Sequence, residues 1–355
     1  MSEYIWQQKG WPYLTWNNKE LLHVLGEVRN RQGRLAGKAS LLGVDFKKET
    51  LLKSITTDVI KSAELEGRAL DINLVRASVA GRLKIRLTEQ IQTDPRIDRM
   101  VQVMIDALQN YRQPVSEETV FSWQEALGQD ESNAARFYRS AAVFEPEADG
   151  DGLFYIQNPA VIPDEMRRFL KWFNTIHPTD PLIKAGVAHL RLTFIHPFNE
   201  GNGYIARILT DIFLTRADGF PQHLYSLSAQ ISKQRELYNR VLRRAQNGNL
   251  DITEWLLWFL YCFETALIEA EDMLTHTLEK SKFWEKYRLI RLNERQVKMI
   301  NLLWERSDCK LTSSYWANLN LCSPDTALRD IQDLINKKIL HRKSSGGRST
   351  CYELN

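Results

Sequence analysis

HPFNEGNGYIAR, residues 196–207, interrupts one helical pattern and starts another, and its reading decides what kind of chain this is. Upstream, PLIKAGVAHLRLTF spaces its apolar residues three and four apart, and YIARILTDIFLTRADGF does the same downstream. Between them, Gly201, Asn202 and Gly203 can turn several backbone N–H groups toward one point, because glycine tolerates positive φ. The helix that begins near Asn202 adds the partial positive charge of its N-terminus, which makes the loop a seat for phosphate oxygens. Glu200 stands just before that seat. A carboxylate beside phosphate calls for a cation between them, and Mg²⁺ favours both kinds of oxygen. Arg207 lies one helical turn past Gly203, where its guanidinium can clamp a more distal phosphate. His196, with an ordinary pKa of about 6.5, can be neutral at physiological pH and take a proton from an attacking hydroxyl. A base, a metal carboxylate, an anion cradle and an arginine in one short run predict phosphoryl or nucleotidyl transfer, where catalysis is mainly positioning and charge neutralisation.

Working outward, the chain is mainly α. Helical spacing fills residues 19–87, and one helix over residues 46–66 stops at Gly67, with the next beginning near Asp71. RFYRSAAVFEP and GLFYIQNP flank the turn-rich EADGDG and predict a β-hairpin. Helical spacing resumes in VIPDEMRRFLKWFNTI and again over residues 235–246 and 252–279, with no βαβ pattern anywhere. After residue 280, LNERQVKMINLLWERSD, LTSSYWANLN and SPDTALRDIQDLINKKIL predict three helices, the last with Ser323 as N-cap and Pro324 in its first turn. The tail ILHRKSSGGRSTCYELN then predicts strand, Gly-Gly turn, strand, which completes a winged helix-turn-helix. The expected division is residues 1–90, a helical N-terminal domain; 91–280, the core with the loop; and 281–355, the winged helix.

Composition narrows the function classes. At 355 residues, the chain is long enough for two or three domains, and 43% hydrophobic with 26% charged residues is a globular balance. A net charge of +3 does not predict a nucleic-acid or membrane partner for the whole molecule. Residues 281–355, however, hold 14 Lys and Arg against 8 Asp and Glu, so a basic patch is expected there. The start, MSEYIWQQKGWPYLTW, lacks the features of a secretory signal, and the longest apolar run, WLLWFLYCF, is about half the roughly 20 residues a bilayer requires. A cytoplasmic protein with no membrane partner is expected. Cys262, Cys309, Cys322 and Cys351 are scattered and predict neither a disulfide framework nor a zinc site.

HPFNEGNGYIAR resembles the HPFx[D/E]GNGRxxR signature of the Fic family of protein nucleotidyltransferases. At average residue usage, the first eight positions of that pattern arise by chance on the order of once in a billion positions. The resemblance runs from about Ala141, where the hairpin looks like the family's target-binding flap, through HLRLTFIHPF to ELYNRVLRRAQNG. It implies a Fic-type helical core and transfer of AMP from ATP to a Ser, Thr or Tyr hydroxyl of a protein target. His196 would be the base, Glu200 the Mg²⁺ ligand, Gly201, Asn202 and Gly203 the phosphate loop, and Arg207 the arginine directed at the terminal phosphates. By the same similarity, Tyr238, Asn239 and Gln246 would line the adenine pocket. Tyr204 departs from the pattern, standing where the first motif arginine is usual, so one phosphate contact is missing or passes to a phenol hydroxyl.

SAELEG, residues 62–67, matches the [S/T]xxxE[G/N] of the family's inhibitory helix, which implies that Glu66 pairs with Arg207 and blocks the γ-phosphate position. The first 88 residues or so resemble the helical region found before many bacterial Fic cores. Family members with this inhibitory helix are often dimeric, so a homodimer is an implied partner state. In the winged helix, Ser323, Thr326 and Arg329 along the third helix, with Arg342, Lys343 and Arg348 on or near the wing, suit phosphate contacts on DNA. Alternatives stay open: a DNA-binding regulator whose Fic core senses nucleotide, removal of AMP by the same glutamate, and transfer from another nucleotide.

Overall fold

The computed structural model describes residues 4–87, 94–128, 137–140, 144–146, 153–155, 157–219, 223–305, 311–343 and 351–355. It divides into two compact units, Met1–Thr277 and Leu278–Asn355.

The first unit is built around two helices, α7 (Pro181–Ile195) and α8 (Asn202–Asp218), on either side of the HPFNEG turn. Every residue of α7 from Leu182 to Ile195 except Thr193 is buried, as are Asn202 and the run from Tyr204 to Thr215 in α8. A helix apolar on all faces is stable only with neighbours on all sides, and the other elements supply them. Earlier in the chain come α1 (Asn18–Ser40), α2 (Val44–Leu65), α3 (Ile72–Arg82), α4 (Pro95–Gln109), α5 (Glu117–Leu127) and α6 (Ile162–Asn174). After α8 follow α9 (Leu227–Lys233), α10 (Arg235–Gln246) and α11 (Thr253–Lys286). Phe169 and Phe173 of α6 and Phe213 of α8 pack as a cluster, with Phe173 and Phe213 ring centroids 4.3 Å apart.

The helix ends are set by local chemistry. Asp71 caps α3 by accepting from the N–H groups of Asn73 and Leu74, and Asp180 caps α7 by accepting from Leu182. α2 closes with Gly67 at φ +74°, where the Arg68 N–H returns to the Ala63 carbonyl at 2.9 Å. This is the end expected from the sequence. Helices α4 and α5 were not expected, although Asp94 before Pro95 and Ser116 before two glutamates are ordinary N-terminal caps. The hairpin strands are short: β1 (Phe144–Pro146) and β2 (Leu153–Tyr155) pair antiparallel, Phe144 opposite Tyr155. The EADGDG turn itself lies outside the described residues. Near the chain start, Trp11 donates to Glu165 and Trp6 packs on Phe194, whereas Tyr13 is exposed. Among the described residues, no helix is long and apolar enough to cross a membrane.

The second unit has its own core. α12 (Glu294–Glu305), α13 (Ser313–Leu319) and α14 (Pro324–Asn336) precede the antiparallel pair β3 (Leu340–Arg342) and β4 (Tyr352–Leu354). Met299, Ile300, Trp316, Ala327, Ile331 and Leu340 are buried between them. Ser323 caps α14 through the Thr326 N–H, as expected.

α7 and α11 approach closely at Gly186, whose carbonyl accepts from Trp255 Nε1. A Cβ there would lie 2.8 Å from Leu256 and 3.1 Å from the Phe259 ring. Gly186→Ala should therefore lower unfolding free energy by about 1–3 kcal/mol through overpacking, despite alanine's better helix propensity. Urea unfolding followed by tryptophan fluorescence would measure it, and an unchanged or higher midpoint would contradict the close packing.

Candidate functional site

The loop between α7 and α8 is shaped by its own side chains before any ligand is considered. His196 ends α7 in the left-handed conformation at φ +49°. Two residues on, the Phe198 N–H donates to Asn202 Oδ1 at 2.9 Å, and Asn202 Nδ2 donates back to the Phe198 carbonyl at 2.7 Å. The Asn202 amide is thus spent on closing the turn, which leaves the expected anion seat to backbone groups. Gly201 starts α8 at φ +76°. From outside, Gln124 of α5 donates to the Glu200 carbonyl at 3.0 Å. The buried Arg139 donates through Nε to the His196 carbonyl at 2.6 Å and through Nη2 to the Gln157 carbonyl at 2.5 Å. These contacts hold the loop's two ends from segments far away in sequence.

His196 is 6% exposed. Burial, followed by the nearby Arg139 charge, lowers its pKa to about 4, so the imidazole is neutral throughout the physiological range. His189, further back on α7, is buried between Thr210 Oγ1 at 3.1 Å and the Tyr238 hydroxyl at 2.9 Å. Burial and then Arg207 lower its pKa to about 3.

The end of α2 lies directly over this loop. Arg207, 4% exposed, donates from Nε to Ser62 Oγ at 2.8 Å and from Nη2 to the Ser62 carbonyl at 2.9 Å. Nη2 also pairs with Glu66 Oε1 at 2.8 Å. The Glu66 carboxylate is so near the loop that a Cβ on Gly203 would stand 2.3 Å from Oε1. A second pair runs the other way: Arg68 donates to Glu200 Oε2 at 3.0 Å and to the Leu127 carbonyl at 2.8 Å. An acid therefore sits on the arginine and an arginine on the acid. Tyr204 is buried, its hydroxyl aimed at the Met100 carbonyl of α4 at 3.4 Å, so its phenol packs α8 against α4.

The other expected site residues fall in two groups. Tyr238 lies on α10 with its ring against Trp255 and Trp258, Asn239 follows it half-buried, and Gln246 is buried at the same helix's end. In the second unit, Ser323, Arg329, Arg342 and Lys343 are exposed and Thr326 is half-buried, while Arg348 lies outside the described residues. Ser323 Oγ is engaged in its cap, and Lys343 pairs with Glu353. Arg68, Arg139, Gln124 and His189 were not anticipated. Arg68 follows a helix end, whereas His189 is in the middle of α7 and Arg139 lies in no helix, so residue type alone did not mark them.

Comparisons with known proteins bear on the same residues. A family model described as "Fic/DOC family" matches residues 114–214, and one described as "Domain of unknown function (DUF4172)" matches residues 4–85. The curated protein adenylyltransferase Fic of Drosophila ananassae is 35% identical over 104 residues, which is 29% of this chain and 19% of that protein. The Drosophila melanogaster protein of the same name is 35% identical over 104 residues, 29% of this chain and 20% of its own. The match thus spans about a fifth of these curated relatives. A Fic family protein from Desulfovibrio desulfuricans superimposes with TM-score 0.59 at 18% identity, covering 97% of this chain and 98% of that one. A Fic domain containing signaling protein from Bacteroides thetaiotaomicron gives TM-score 0.52 at 20% identity, covering 71% and 97%. These two likenesses establish the fold.

The burial of His196 has a direct readout. In an NMR titration of the imidazole carbons, its protonation midpoint should fall near the lowered value of about 4, while an exposed histidine titrates at about 6.5. A midpoint at the ordinary value would mean that neither burial nor Arg139 acts on the ring.

Proposed function

Because residues 114–214 match the Fic/DOC family model, we propose that the chain transfers AMP from ATP to a hydroxyl side chain of a protein and that the end of α2 holds this activity off at rest. The contact that carries the reading is Glu66 on Arg207, with its carboxylate pressed against Gly203. A carboxylate there takes the guanidinium donors and the space that a terminal phosphate would use.

In the open site, the backbone of Gly201, Asn202 and Gly203 and the N-terminus of α8 receive phosphate oxygens, and Arg207 takes the distal ones. His196 accepts the proton of the target hydroxyl. That oxygen bonds to the α-phosphorus, the link between the α- and β-phosphates breaks, and pyrophosphate leaves. Glu200, a nearly half-exposed carboxylate beside the anion loop, is the hard oxygen donor that Mg²⁺ shared with phosphates requires. When bound, that ion would supply charge neutralisation. Arg68 must first release Glu200, so the α2 end blocks both the arginine and the carboxylate. The short hairpin β1–β2 offers its edge for strand addition by a target segment.

With labelled ATP, Glu66→Gly should raise incorporation into the chain itself or a target by tenfold or more, within the roughly 5–150-fold that couplings of 1–3 kcal/mol produce. Arg68→Ala should give a smaller rise, and His196→Ala should abolish transfer in the Glu66→Gly background. No rise in Glu66→Gly while His196→Ala still lowers activity would remove the brake. Failure of every form to transfer label while ATP still binds would favour a nucleotide-sensing core over an enzyme.

A further inference from the structure

Three ionisable side chains not used by the proposed chemistry meet inside the first unit, one turn from the Arg207 contact. Asp58 is one turn before Ser62 on α2, Asp211 is one turn after Arg207 on α8, and His223 lies in the segment leading to α9. Each is 2% exposed. One ligand atom from each lies within 4.8 Å of the others.

Their hydrogen bonding is incomplete in a specific way. Asp58 Oδ1 is fixed by the Ser226 hydroxyl at 2.5 Å and the Ser228 N–H at 3.3 Å. Its other oxygen, Oδ2, stands 3.7 Å from His223 Nε2, beyond hydrogen-bond range. Neither His223 ring nitrogen has a partner, and neither does Asp211 Oδ1. Buried polar atoms are almost always bonded, so three orphaned atoms within one cluster are costly. Two ligand atoms each about 2.0–2.2 Å from a tetrahedral zinc ion lie roughly 3.3–3.6 Å apart, close to the His223–Asp58 spacing. The Ser226 and Ser228 contacts orient Asp58 as outer partners orient metal-bound carboxylates. Two carboxylates and a neutral imidazole also balance a divalent charge, which matters in a site this deeply buried.

We propose that Asp58, Asp211 and His223 bind a divalent transition-metal ion of the Zn²⁺ type that ties α2 to α8. The donor set of two oxygens and one imidazole nitrogen suits Zn²⁺, and a fourth position is left to water. Burial, and then the neighbouring Asp58 charge, push the Asp211 carboxyl above the usual carboxylate range. Asp58, Ser62 and Glu66 are spaced one turn apart along the α2 end, so an ion at Asp58 would anchor the residues that cover Arg207. That regulatory consequence rests on the proposed brake, but the binding itself does not.

The test uses the full chain, stripped with EDTA and titrated with Co²⁺, whose visible absorption reports coordination by nitrogen and oxygen. We expect about one Co²⁺ per chain, displaced by Zn²⁺ and retained in Glu200→Ala. Affinity should fall at least tenfold in the near-isosteric Asp211→Asn and in His223→Gln, with circular dichroism confirming that both fold. Zn²⁺ should raise the melting temperature of the stripped wild type and not that of Asp211→Asn. The idea is overturned if the wild type binds no Co²⁺, if binding disappears in Glu200→Ala, or if it survives in both Asp211→Asn and His223→Gln. The first of these results would mean that the cluster shares protons instead. Labelled-ATP transfer by metal-loaded and stripped protein separates the two claims: an ion that binds without changing transfer leaves the site standing and removes its link to the brake.

Discussion

A buried guanidinium needs partners, and Arg207 sets the terms for everything around the loop. It projects from a helix whose faces are all covered, and a cation left unpaired there would cost several kcal/mol. Ser62 supplies a hydroxyl and a carbonyl, and Glu66 supplies the charge. These are the same kinds of acceptor that a polyphosphate offers. On the proposed function, the resting fold and an anionic ligand would compete for one side chain, and opening the site would exchange one set of oxygens for another. The proposed repression would then be compatible with stability, because no charge is stranded in either state.

The end of α2 is complementary to the loop in sign as well as shape. Glu66 faces Arg207, and Arg68, just beyond the Gly67 turn, faces Glu200. The turn at Gly67 puts both side chains on the loop, since the chain reverses there by taking the left-handed conformation. A Cβ on Gly203 would displace the Glu66 carboxylate from its present place beside Arg207. The glycine thus allows the approach of the chain's own acid, and in the proposed open state it would leave the same room to phosphate. The loop keeps its form independently of what sits on it, through the paired Phe198–Asn202 amide bonds and the hold of Arg139 on the His196 carbonyl.

Much of this was legible in the sequence because it is local. The α2 end at Gly67, the α3 start after Asp71, the restart of helix at Asn202 and the cap at Ser323 all follow from backbone chemistry within a few residues. The pairing of Glu66 with Arg207 was expected only because SAELEG and HPFNEGNGYIAR are familiar together; no periodicity connects positions 141 residues apart. Helices α4 and α5 escaped a reading by motif, although their caps are ordinary, since neither carries chemistry of its own.

The sequence by itself determined the residues of the proposed site: a histidine, a carboxylate and a glycine-rich turn are fixed by residue type and by spacings shorter than a few helical turns. Tertiary structure alone decided what faces that site. Arg68 meets Glu200 across 132 positions, Asp58 and Ser226 meet across 168, and Tyr204 turns its hydroxyl to Met100 across 104. Such meetings depend on how helices pack around α7 and α8. Packing is set by the shape of the whole core, which no short stretch of the chain encodes.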